Sequence, residues 1–442
     1  MKAKIRGRSQ SLIYLVILTS CLPITVFLFF LALSVRLISE NRTKNSVNGI
    51  NILLTGGKMT KSLQLARLLS RKGHDVFLSE TEKFRCTGHK YSRHVKKFFL
   101  LPNITEGYDA YLKSIQRIVE QQNIDLIIPV ASPKIVFFDS QVKEVLRGQC
   151  EFFHFDGSSL KLLDDKYLLC KTAKEINLSA PEVHLITQKE QLYSFDFESR
   201  NKKFILKSLS YDPLQRLHRP QLPDPDQLEY FSSLDISEDK PWVLQEFVEG
   251  VEYCTHSTVQ DGKILLHCCC LSSDFQLRYK HVEHEKIYEW VKVFVSRLNL
   301  SGQISFDFFE NADGDILPIE CNPRTHSAIT SFYNSEHFAG AYVNESNDVS
   351  YTVLPEPDAR ETYWLYHEVF DLLSNFTLSN VVEKIKLFRN GKEAIFDVKD
   401  PLPFLMAYHW QIPCLLSKAI VTGEKWLRID FNIGKLVEPG GD

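Results

Sequence analysis

Two short segments of alternating polar and apolar residues, 303–308 and 317–322, flank an Asp313-Gly314 dipeptide. Asp-Gly is typical of a two-residue hairpin turn, and the alternation is typical of half-buried strands. With Asp313 and Gly314 as the turn residues, Asp307 and Glu320 are predicted to stand opposite each other with Cβ atoms ~5 Å apart. The sequence therefore predicts an antiparallel hairpin that brings two carboxylates together.

A bound cation is the simplest reason for placing two acidic side chains side by side. Two like charges ~5 Å apart repel by ~3 kcal/mol at an effective dielectric constant of ~20, and a cation turns this repulsion into attraction. Asn322 lies two residues after Glu320 on the same face, and Arg324 follows at the same spacing, within reach of a phosphoryl group. Oxygen ligands favour Mg²⁺, with Mn²⁺ as a substitute, shared with nucleotide phosphates. The alternative is a solvated acidic hairpin.

Asp307 and the Glu-Cys-Asn-Pro-Arg run at 320–324 resemble the metal-binding end of the ATP-grasp superfamily. That family has two upstream lysines, and Lys166 and Lys207 stand at the corresponding places. The resemblance implies that both lysines bind ATP phosphates, with Lys207 near the α-phosphate. It also implies that the acidic pair and the asparagine hold magnesium and that Arg324 is catalytic.

The next matching segment resembles the hinge that holds adenine through backbone groups. By this resemblance Gln245, Glu246, Phe247 and Val248 bind the adenine, and Glu252 binds the ribose hydroxyls. The first hinge position is often Glu in the family, whereas it is Gln in this chain. Taken without its neighbours, the segment is equally typical of an edge strand and a turn.

The segment after Lys207 departs from the family pattern, which often has a glycine-rich phosphate lid there. Residues 208–213 are Ser-Leu-Ser-Tyr-Asp-Pro, and Arg216, His218 and Arg219 follow. This composition predicts a lid that contacts phosphates through hydroxyl and guanidinium groups. Four prolines in residues 211–227 predict an irregular, mobile loop.

Further runs resemble the ATP-grasp ligases of mycosporine-like amino acid biosynthesis, over roughly residue 49 to the end. The matching runs are 56–61, 254–259, 322–330, 363–368 and 429–436. The resemblance implies two small-molecule substrates, a cyclohexenone and an amino acid. These enzymes phosphorylate the enolic oxygen of 4-deoxygadusol and join glycine to it, giving mycosporine-glycine.

Three residues in these runs are candidates for substrate binding. His256, His326 and Ser327 flank the expected phosphate end of the site in sequence, where they could hold cyclohexenone oxygens or the glycine carboxylate. For each histidine, a packed or surface imidazole is an equally good interpretation.

The order of elements predicts a mixed α/β and α+β architecture. Residues 49–150 alternate strands and helices, which is typical of a Rossmann-like parallel sheet preceding the ATP-grasp domain at 151–345. Residues 346–442 form a C-terminal extension, and residues 1–48 form a membrane segment and linker. The Gly56-Gly57-Lys58 turn favours a tight turn before a helix, whose amino terminus could also bind an anion.

Residues 12–35 contain no charged residue and are long enough to span a bilayer of ~30 Å as a helix. A signal peptide has a shorter apolar core and a small-residue cleavage site, so an anchor is favoured. Basic residues flank both ends, and Pro23 allows a kinked or hairpin insertion. Because catalysis needs ATP, we expect a membrane-associated protein whose catalytic part lies in the cytoplasm.

Composition limits the remaining classes of function. The formal net charge is −3 and no long basic stretch occurs, so no nucleic-acid partner is expected. The ten cysteines form no C-x-x-C pair and are interpreted as reduced core residues. An oligomer is possible. Three alternatives stay open: a ligase of an ordinary carboxylate such as an amino acid or peptide, a non-catalytic nucleotide-binding membrane protein, and a structural membrane protein.

Overall fold

The computed structural model describes residues 5–39, 49–104, 107–130, 133–200, 202–209, 220–272, 277–343 and 351–439. Within these ranges the chain is a mixed α/β protein with five sheets. The two largest sheets and the segments between them position the candidate site.

The first sheet is parallel, as predicted from the alternation of buried strands and helices. Its strands are β1 (Asn51–Leu54), β2 (Asp75–Thr81), β3 (Lys97–Leu101), β4 (Leu126–Ile128) and β5 (Glu151–Phe152). They lie in the order β3-β2-β1-β4-β5, with every pair parallel. The connecting helices are α2 (Thr60–Arg71), α3 (Tyr108–Gln122) and α4 (Pro133–Val145). The centre of β1 is fully buried because helices cover both faces of the sheet.

A smaller antiparallel sheet follows two helices. The helices are α5 (Gly157–Asp164) and α6 (Lys166–Glu175), and the strands are β6 (Val183–Ile186), β7 (Phe204–Ser208) and β8 (Trp242–Glu246). Strand β8 lies between the other two. Two short helices, α7 (Glu190–Tyr193) and α8 (Gln227–Ser233), connect these strands. An aromatic cluster that includes Phe204 and Phe231 fills the core beneath this sheet.

The second large sheet is antiparallel and carries the acidic hairpin. Its strands are β9 (Val251–Gln260), β10 (Lys263–Leu271), β12 (Gly302–Glu310) and β13 (Ile316–Asn322), in the order β10-β9-β12-β13. Helix α9 (Glu285–Arg297) covers one face. Trp290 on this helix packs edge-on against Phe306 and Phe308 at centroid distances of 5.2 and 5.1 Å. This aromatic packing holds β12 against the helix and leaves the opposite face for polar groups.

The C-terminal part combines short strands and helices. The strands are β11 (Arg278–Tyr279), β14 (Thr362–Tyr363), β15 (Lys392–Glu393), β16 (Arg428–Asp430) and β17 (Lys435–Val437). The helices are α10 (Leu365–Ser374), α11 (Leu378–Asn390), α12 (Leu402–Met406) and α13 (Ile412–Thr422). Trp364 and Tyr408 are fully buried in a core shared with β1 and α2, so this part packs directly on the parallel sheet.

The N-terminal helix α1 (Arg8–Ser39) is long and contains Pro23. Its segment Arg8–Leu37 has the length and apolar composition needed to cross a membrane, and one such helix occurs in the described part of the chain. Large apolar side chains cover its outer side, among them Phe27 and Leu37, which are 66% and 72% exposed.

The inner side of α1 packs against the C-terminal part. Its buried residues recur every seven positions, and they are Ser11, Leu18, Thr25 and Ala32. Trp426 Nε1 donates a hydrogen bond of 2.9 Å to Ser11 Oγ. Thr25 Oγ1 lies 2.9 Å from His409 Nε2 and 3.2 Å from the Tyr366 hydroxyl. Specific polar contacts therefore hold one face of this apolar helix on the protein.

Candidate functional site

The acidic hairpin forms between β12 and β13, but its turn differs from the prediction. Three residues, 312–314, separate Asn311 from Asp315, whose carbonyl accepts from the Asn311 N–H at 3.1 Å. Gly314 has a φ of +77°, the left-handed conformation that closes a three-residue loop. The predicted two-residue turn is therefore wrong, because glycine occupies the last loop position instead of the second of two.

A bulge in β13 restores the predicted pairing. Asp307 pairs with Glu320, whereas its neighbour Phe308 pairs with Pro318, so Ile319 is the extra residue. The longer loop alone would shift every pair by one position and turn Glu320 to the other face. The bulge cancels that shift, and the two carboxylates stand opposite each other as predicted.

The bulge also presents a backbone carbonyl to two side chains of the smaller sheet. The Ile319 carbonyl accepts from Lys207 Nζ at 3.5 Å and from Gln245 Nε2 at 3.3 Å. Both side chains are buried, with 6% and 0% exposure. Strands β7 and β8 therefore bring Lys207 to the acidic hairpin, although 112 residues separate Lys207 from Ile319.

The remaining polar side chains meet on the same face. Lys166, at the start of α6, has its Nζ 3.5 Å from Glu320 Oε2. Asn322 Nδ2 donates to Asp307 Oδ2 at 3.4 Å and to Glu320 Oε1 at 3.5 Å. Arg324 Nη2 donates to Asn322 Oδ1 at 2.5 Å. Five predicted site residues thus form one contiguous polar cluster, which we call the hairpin cluster: Asp307, Glu320, Asn322, Arg324 and Lys166.

The electrostatics of the hairpin cluster suit a divalent cation. Burial, followed by the neighbouring Glu320 carboxylate, raises the pKa of Asp307 well above its usual value. The two carboxylates provide hard oxygen donors, which fit Mg²⁺ or Mn²⁺, whereas the Asn322 amide presents its Nδ2 to them and its oxygen to Arg324. Among the described residues, no group of three or more His, Cys, Asp or Glu side chains could hold a metal.

The predicted adenine hinge runs from the end of β8 into the following loop. The N–H groups of Glu246 and Phe247 donate to the carbonyls of Glu182 and Lys203, each at 2.8 Å. Any adenine contact must therefore use other backbone groups of the hinge, such as those of Val248, which is buried. The Gln245 side chain donates to the Ile319 carbonyl at the bulge, and its predicted backbone contact with adenine stays a prediction.

Glu252, predicted to bind ribose, lies at the start of β9. It pairs with Phe309 on β12, two residues from Asp307. Ser272 Oγ donates to Glu252 Oε1 at 3.1 Å. Its carboxylate also contributes to the raised pKa of Asp307, after burial and Glu320, so Glu252 lies close to the hairpin cluster.

The two candidate substrate histidines contact each other, and His256 is fully buried whereas His326 is half-buried. The backbone N–H of His326 donates to His256 Nδ1 at 3.4 Å, and the Ala328 N–H donates to His326 Nδ1 at 3.2 Å. Burial is the main cause that lowers the pKa of both, to about 3 for His326. These contacts fit packed, neutral imidazoles. Ser327 is also buried and its Oγ accepts from Asn432 Nδ2 at 2.6 Å.

The structure adds one residue that the sequence interpretation did not assign to the site. Lys61 on α2 is buried, and its Nζ donates to the Thr325 carbonyl at 2.6 Å. Burial, followed by Arg324 and Lys58, lowers the pKa of Lys61 to about 7. In the sequence, Lys61 was marked only as part of the 56–61 run of the family resemblance. Its contact with Thr325 could not be predicted because that contact depends on tertiary packing.

The predicted phosphate lid lies largely outside the described residues. Ser208 ends β7 and the Leu209 N–H donates to the Pro241 carbonyl at 3.1 Å. Residues 210–219, which include Arg216, His218 and Arg219, lie outside the described ranges, so their predicted phosphate contacts stay predictions.

Solved ligase structures share this fold. Phosphoribosylamine–glycine ligase from Thermotoga maritima has a TM-score of 0.51 and 15% identity, covering 71% of this chain and 78% of that chain. N5-carboxyaminoimidazole synthetase from Staphylococcus aureus, complexed with ADP, has a TM-score of 0.51 and 13% identity, covering 69% and 80%. Biotin carboxylase from Campylobacter jejuni, in a β-γ-ATP complex, has a TM-score of 0.50 and 11% identity, covering 70% and 74%. No protein-family model and no curated protein matches the sequence. These similarities show that the chain has the ATP-grasp fold.

Proposed function

We propose that this protein is an ATP- and magnesium-dependent ligase that forms a carbon–nitrogen bond. The observation that carries the proposal is the convergence of Lys166, Lys207, Asn322 and Arg324 on the half-buried Asp307–Glu320 pair. A non-catalytic nucleotide-binding protein has no need to keep two half-buried carboxylates side by side at a cost in stability.

The side chains have distinct roles in this proposal. Asp307 and Glu320 would hold the magnesium ion, which neutralises phosphate charge when bound, and Asn322 would join them by turning its amide oxygen from Arg324 toward the ion. Lys166 and Lys207 contact ATP phosphates, and Lys207 stays oriented because the bulge carbonyl accepts from its ammonium group. The hinge 245–248 and Glu252 bind the nucleoside. Arg324 stabilises the charge on the phosphoryl group during transfer.

The specific reaction we propose joins glycine to 4-deoxygadusol. The runs at 363–368 and 429–436 support this reading, because they resemble mycosporine-glycine-forming ligases and lie outside the general ATP-grasp pattern. The enolic oxygen of the cyclohexenone takes the γ-phosphoryl group of ATP, and ADP leaves. The glycine nitrogen then adds to that ring carbon, inorganic phosphate departs with the carbon–oxygen electron pair, and the nitrogen loses a proton.

The test is to measure ADP release by the full-length protein in detergent, with ATP, magnesium, glycine and 4-deoxygadusol, and to identify products by mass spectrometry. We expect ADP release that depends on both substrates and a product with the mass of mycosporine-glycine. The matched control omits glycine or replaces 4-deoxygadusol with free amino acids.

The outcomes separate the alternatives. Turnover with an amino acid pair but not with 4-deoxygadusol would replace the proposed substrate by an ordinary carboxylate and keep the ligase. ADP release that stays at background with every acceptor would favour a nucleotide-binding protein without turnover.

We also propose that helix α1 associates the protein with a membrane, with the catalytic part in the cytoplasm. The exposed apolar side of α1 supports the membrane association. We propose four units of the chain, residues 1–48, 49–150, 151–345 and 346–442. The sequence predicts that deletion of residues 1–45 leaves a soluble, active enzyme. Because Ser11 and Thr25 contact Trp426 and His409, we also expect this truncation to expose Trp426 and to lower the free energy of unfolding. Sedimentation with lipid vesicles and thermal unfolding test both points, and an insoluble, inactive product would show that α1 belongs to the core.

A further inference from the structure

A cavity of about 820 Å³ lies at the carboxyl ends of β1, β2 and β3. Residues that follow these strands line one side, and the other side is formed by α13 and β17 of the C-terminal part. In open α/β sheets, ligands bind at the carboxyl ends of the strands. The volume is typical of a small-molecule site.

Two buried lysines stand at this cavity. Lys58 follows β1 and Lys435 begins β17, and they are 5% and 8% exposed. Lys58 Nζ lies 3.6 Å from Glu80 Oε2 and 4.2 Å from the centroid of the Phe84 ring. Burial, followed by the charge of Lys58, lowers the pKa of Lys435 to about 8. Glu80 offsets part of the Lys58 charge, and an anion beside Lys435 would offset the remaining repulsion between the two ammonium groups.

A glycine makes the approach of these lysines possible. Gly434 has a φ of +63°, and a Cβ there would lie 2.3 Å from the Lys58 carbonyl oxygen. Only a residue without a side chain allows the start of β17 to lie against the turn after β1. The close approach of Gly434 to the Lys58 carbonyl therefore brings Lys435 near Lys58 in the fold, and a residue with a side chain at position 434 would require rearrangement.

The remaining cavity wall suits a ring-shaped apolar body. Phe84, Ile104, Leu415 and Ile433 line it, together with Lys83, which forms an ion pair of 2.6 Å with Glu438. A ligand that fits this wall has an apolar body and an anionic oxygen at one end. An enolate on a cyclohexenone has this chemistry.

Two adjacent chain segments connect the cavity to the hairpin cluster. The Thr60 N–H donates to the Asn432 carbonyl at 2.9 Å, so segments 58–61 and 430–435 run side by side. Lys58 lies at the cavity, whereas Lys61 donates to the Thr325 carbonyl beside Arg324. Asn432 in turn donates to Ser327. The run 58–61 therefore contacts the cavity at one end and, at the other, the residue that follows Arg324 of the hairpin cluster.

We propose that this cavity binds the acceptor substrate, an organic anion with an apolar ring, and that Lys58 and Lys435 hold its oxyanion. The proposal rests on the proposed ligase function and adds the acceptor site to it. In this proposal the acceptor binds between the parallel sheet and the C-terminal part. His256 and His326, the candidates from the sequence, then serve packing and do not bind the acceptor.

The test compares Lys435→Met and Lys435→Arg with wild-type protein, using 4-deoxygadusol as the probe. We expect Lys435→Met to raise the KM for 4-deoxygadusol by about tenfold to a hundredfold, because one charge-assisted contact is lost, with the KM for ATP unchanged. Lys435→Arg keeps the charge and should recover most of the affinity. Lys425→Met, at an exposed lysine of the same segment, is the control.

A second measurement, equilibrium dialysis of 4-deoxygadusol without ATP, separates failure of this proposal from failure of the ligase function. Wild-type turnover with unchanged KM in Lys435→Met and in a second variant, Lys58→Met, would overturn the acceptor site and leave the ligase intact. If the wild-type protein shows no turnover, the ligase function is contradicted. Dialysis would still identify the cavity if wild-type protein binds 4-deoxygadusol and the lysine variants do not. Wild-type protein that does not bind the probe would overturn the cavity assignment.

Discussion

Two charged clusters in this protein, one half-buried and one largely buried, combine their charges in opposite ways. In the hairpin cluster, Asp307 and Glu320 face each other, and burial with this like charge raises the pKa of Asp307. In a second cluster, which we call the Glu368 network, Arg278 Nη2 and Lys384 Nζ lie 2.7 and 2.5 Å from Glu368 Oε2. Burial raises the pKa of Glu368, but the hydrogen bonds from the two cations outweigh burial and lower it.

This difference in charge indicates that the hairpin cluster serves function and that the Glu368 network stabilises the fold. The Glu368 network joins β11, α10 and α11 through opposite charges that neutralise each other within the protein. The hairpin cluster has repelling charges that an external cation would neutralise. A carboxylate substitution should therefore affect activity in the first cluster and folding in the second.

The largest effect is expected for Glu320→Gln. This change removes a proposed magnesium ligand without changing side-chain volume, so ADP release should fall by about a thousandfold or more. The free energy of unfolding, measured with urea, should not decrease. Glu310→Gln on the same hairpin is the control and should keep activity. Full activity of Glu320→Gln with magnesium would contradict the metal assignment.

For the Glu368 network, we expect Glu368→Gln to lower the free energy of unfolding by about 3 kcal/mol. The neutral amide leaves Arg278 and Lys384 buried with less compensation. Folded protein should keep its turnover rate, in contrast to Glu320→Gln. The matched control is Glu383→Gln, which removes a more exposed partner of the same arginine and should cost less than about 1 kcal/mol. Equal losses in the two variants would contradict the comparison.

Lys61 extends the comparison to pH. Its folded pKa is about 7, below the ordinary value of 10.5, mainly because of burial and Arg324. Between these pH values the unfolded chain binds more protons, so stability rises with pH, and the full penalty of the buried charge applies below pH 7. From pH 7 to 9, wild type should gain up to about 2 kcal/mol relative to Lys61→Met. Urea unfolding at several pH values measures this, and a flat difference would contradict it. The exposed Lys113→Met is the control.

The smallest effect is expected for Asp307→Asn without magnesium. Loss of one like charge should raise the free energy of unfolding by about 1 kcal/mol. Added magnesium should raise the melting temperature of wild-type protein and leave that of Asp307→Asn unchanged. A wild-type melting temperature that does not respond to magnesium, with or without ATP, would show that the acidic pair does not bind this ion.

The parallel sheet could be predicted because buried strands and helices alternate in residues 49–150, and the pattern is local. The hairpin was predicted in part. Asp313-Gly314 located the turn, but its length was wrong, and the bulge at Ile319 was not expected because β-bulges depend on neighbouring strands. The roles of the site residues and the domain boundaries stay predictions.

The sequence by itself determined which chemical groups share one face of the hairpin, because a strand alternates its side chains with a period of two residues. It also determined that α1 is long and apolar. The tertiary structure alone decided that Lys207 reaches the bulge, that Lys61 reaches Thr325 and that Gly434 places Lys435 beside Lys58. These contacts join residues more than a hundred positions apart, and only the packing of the sheets and the C-terminal part on one another brings them together.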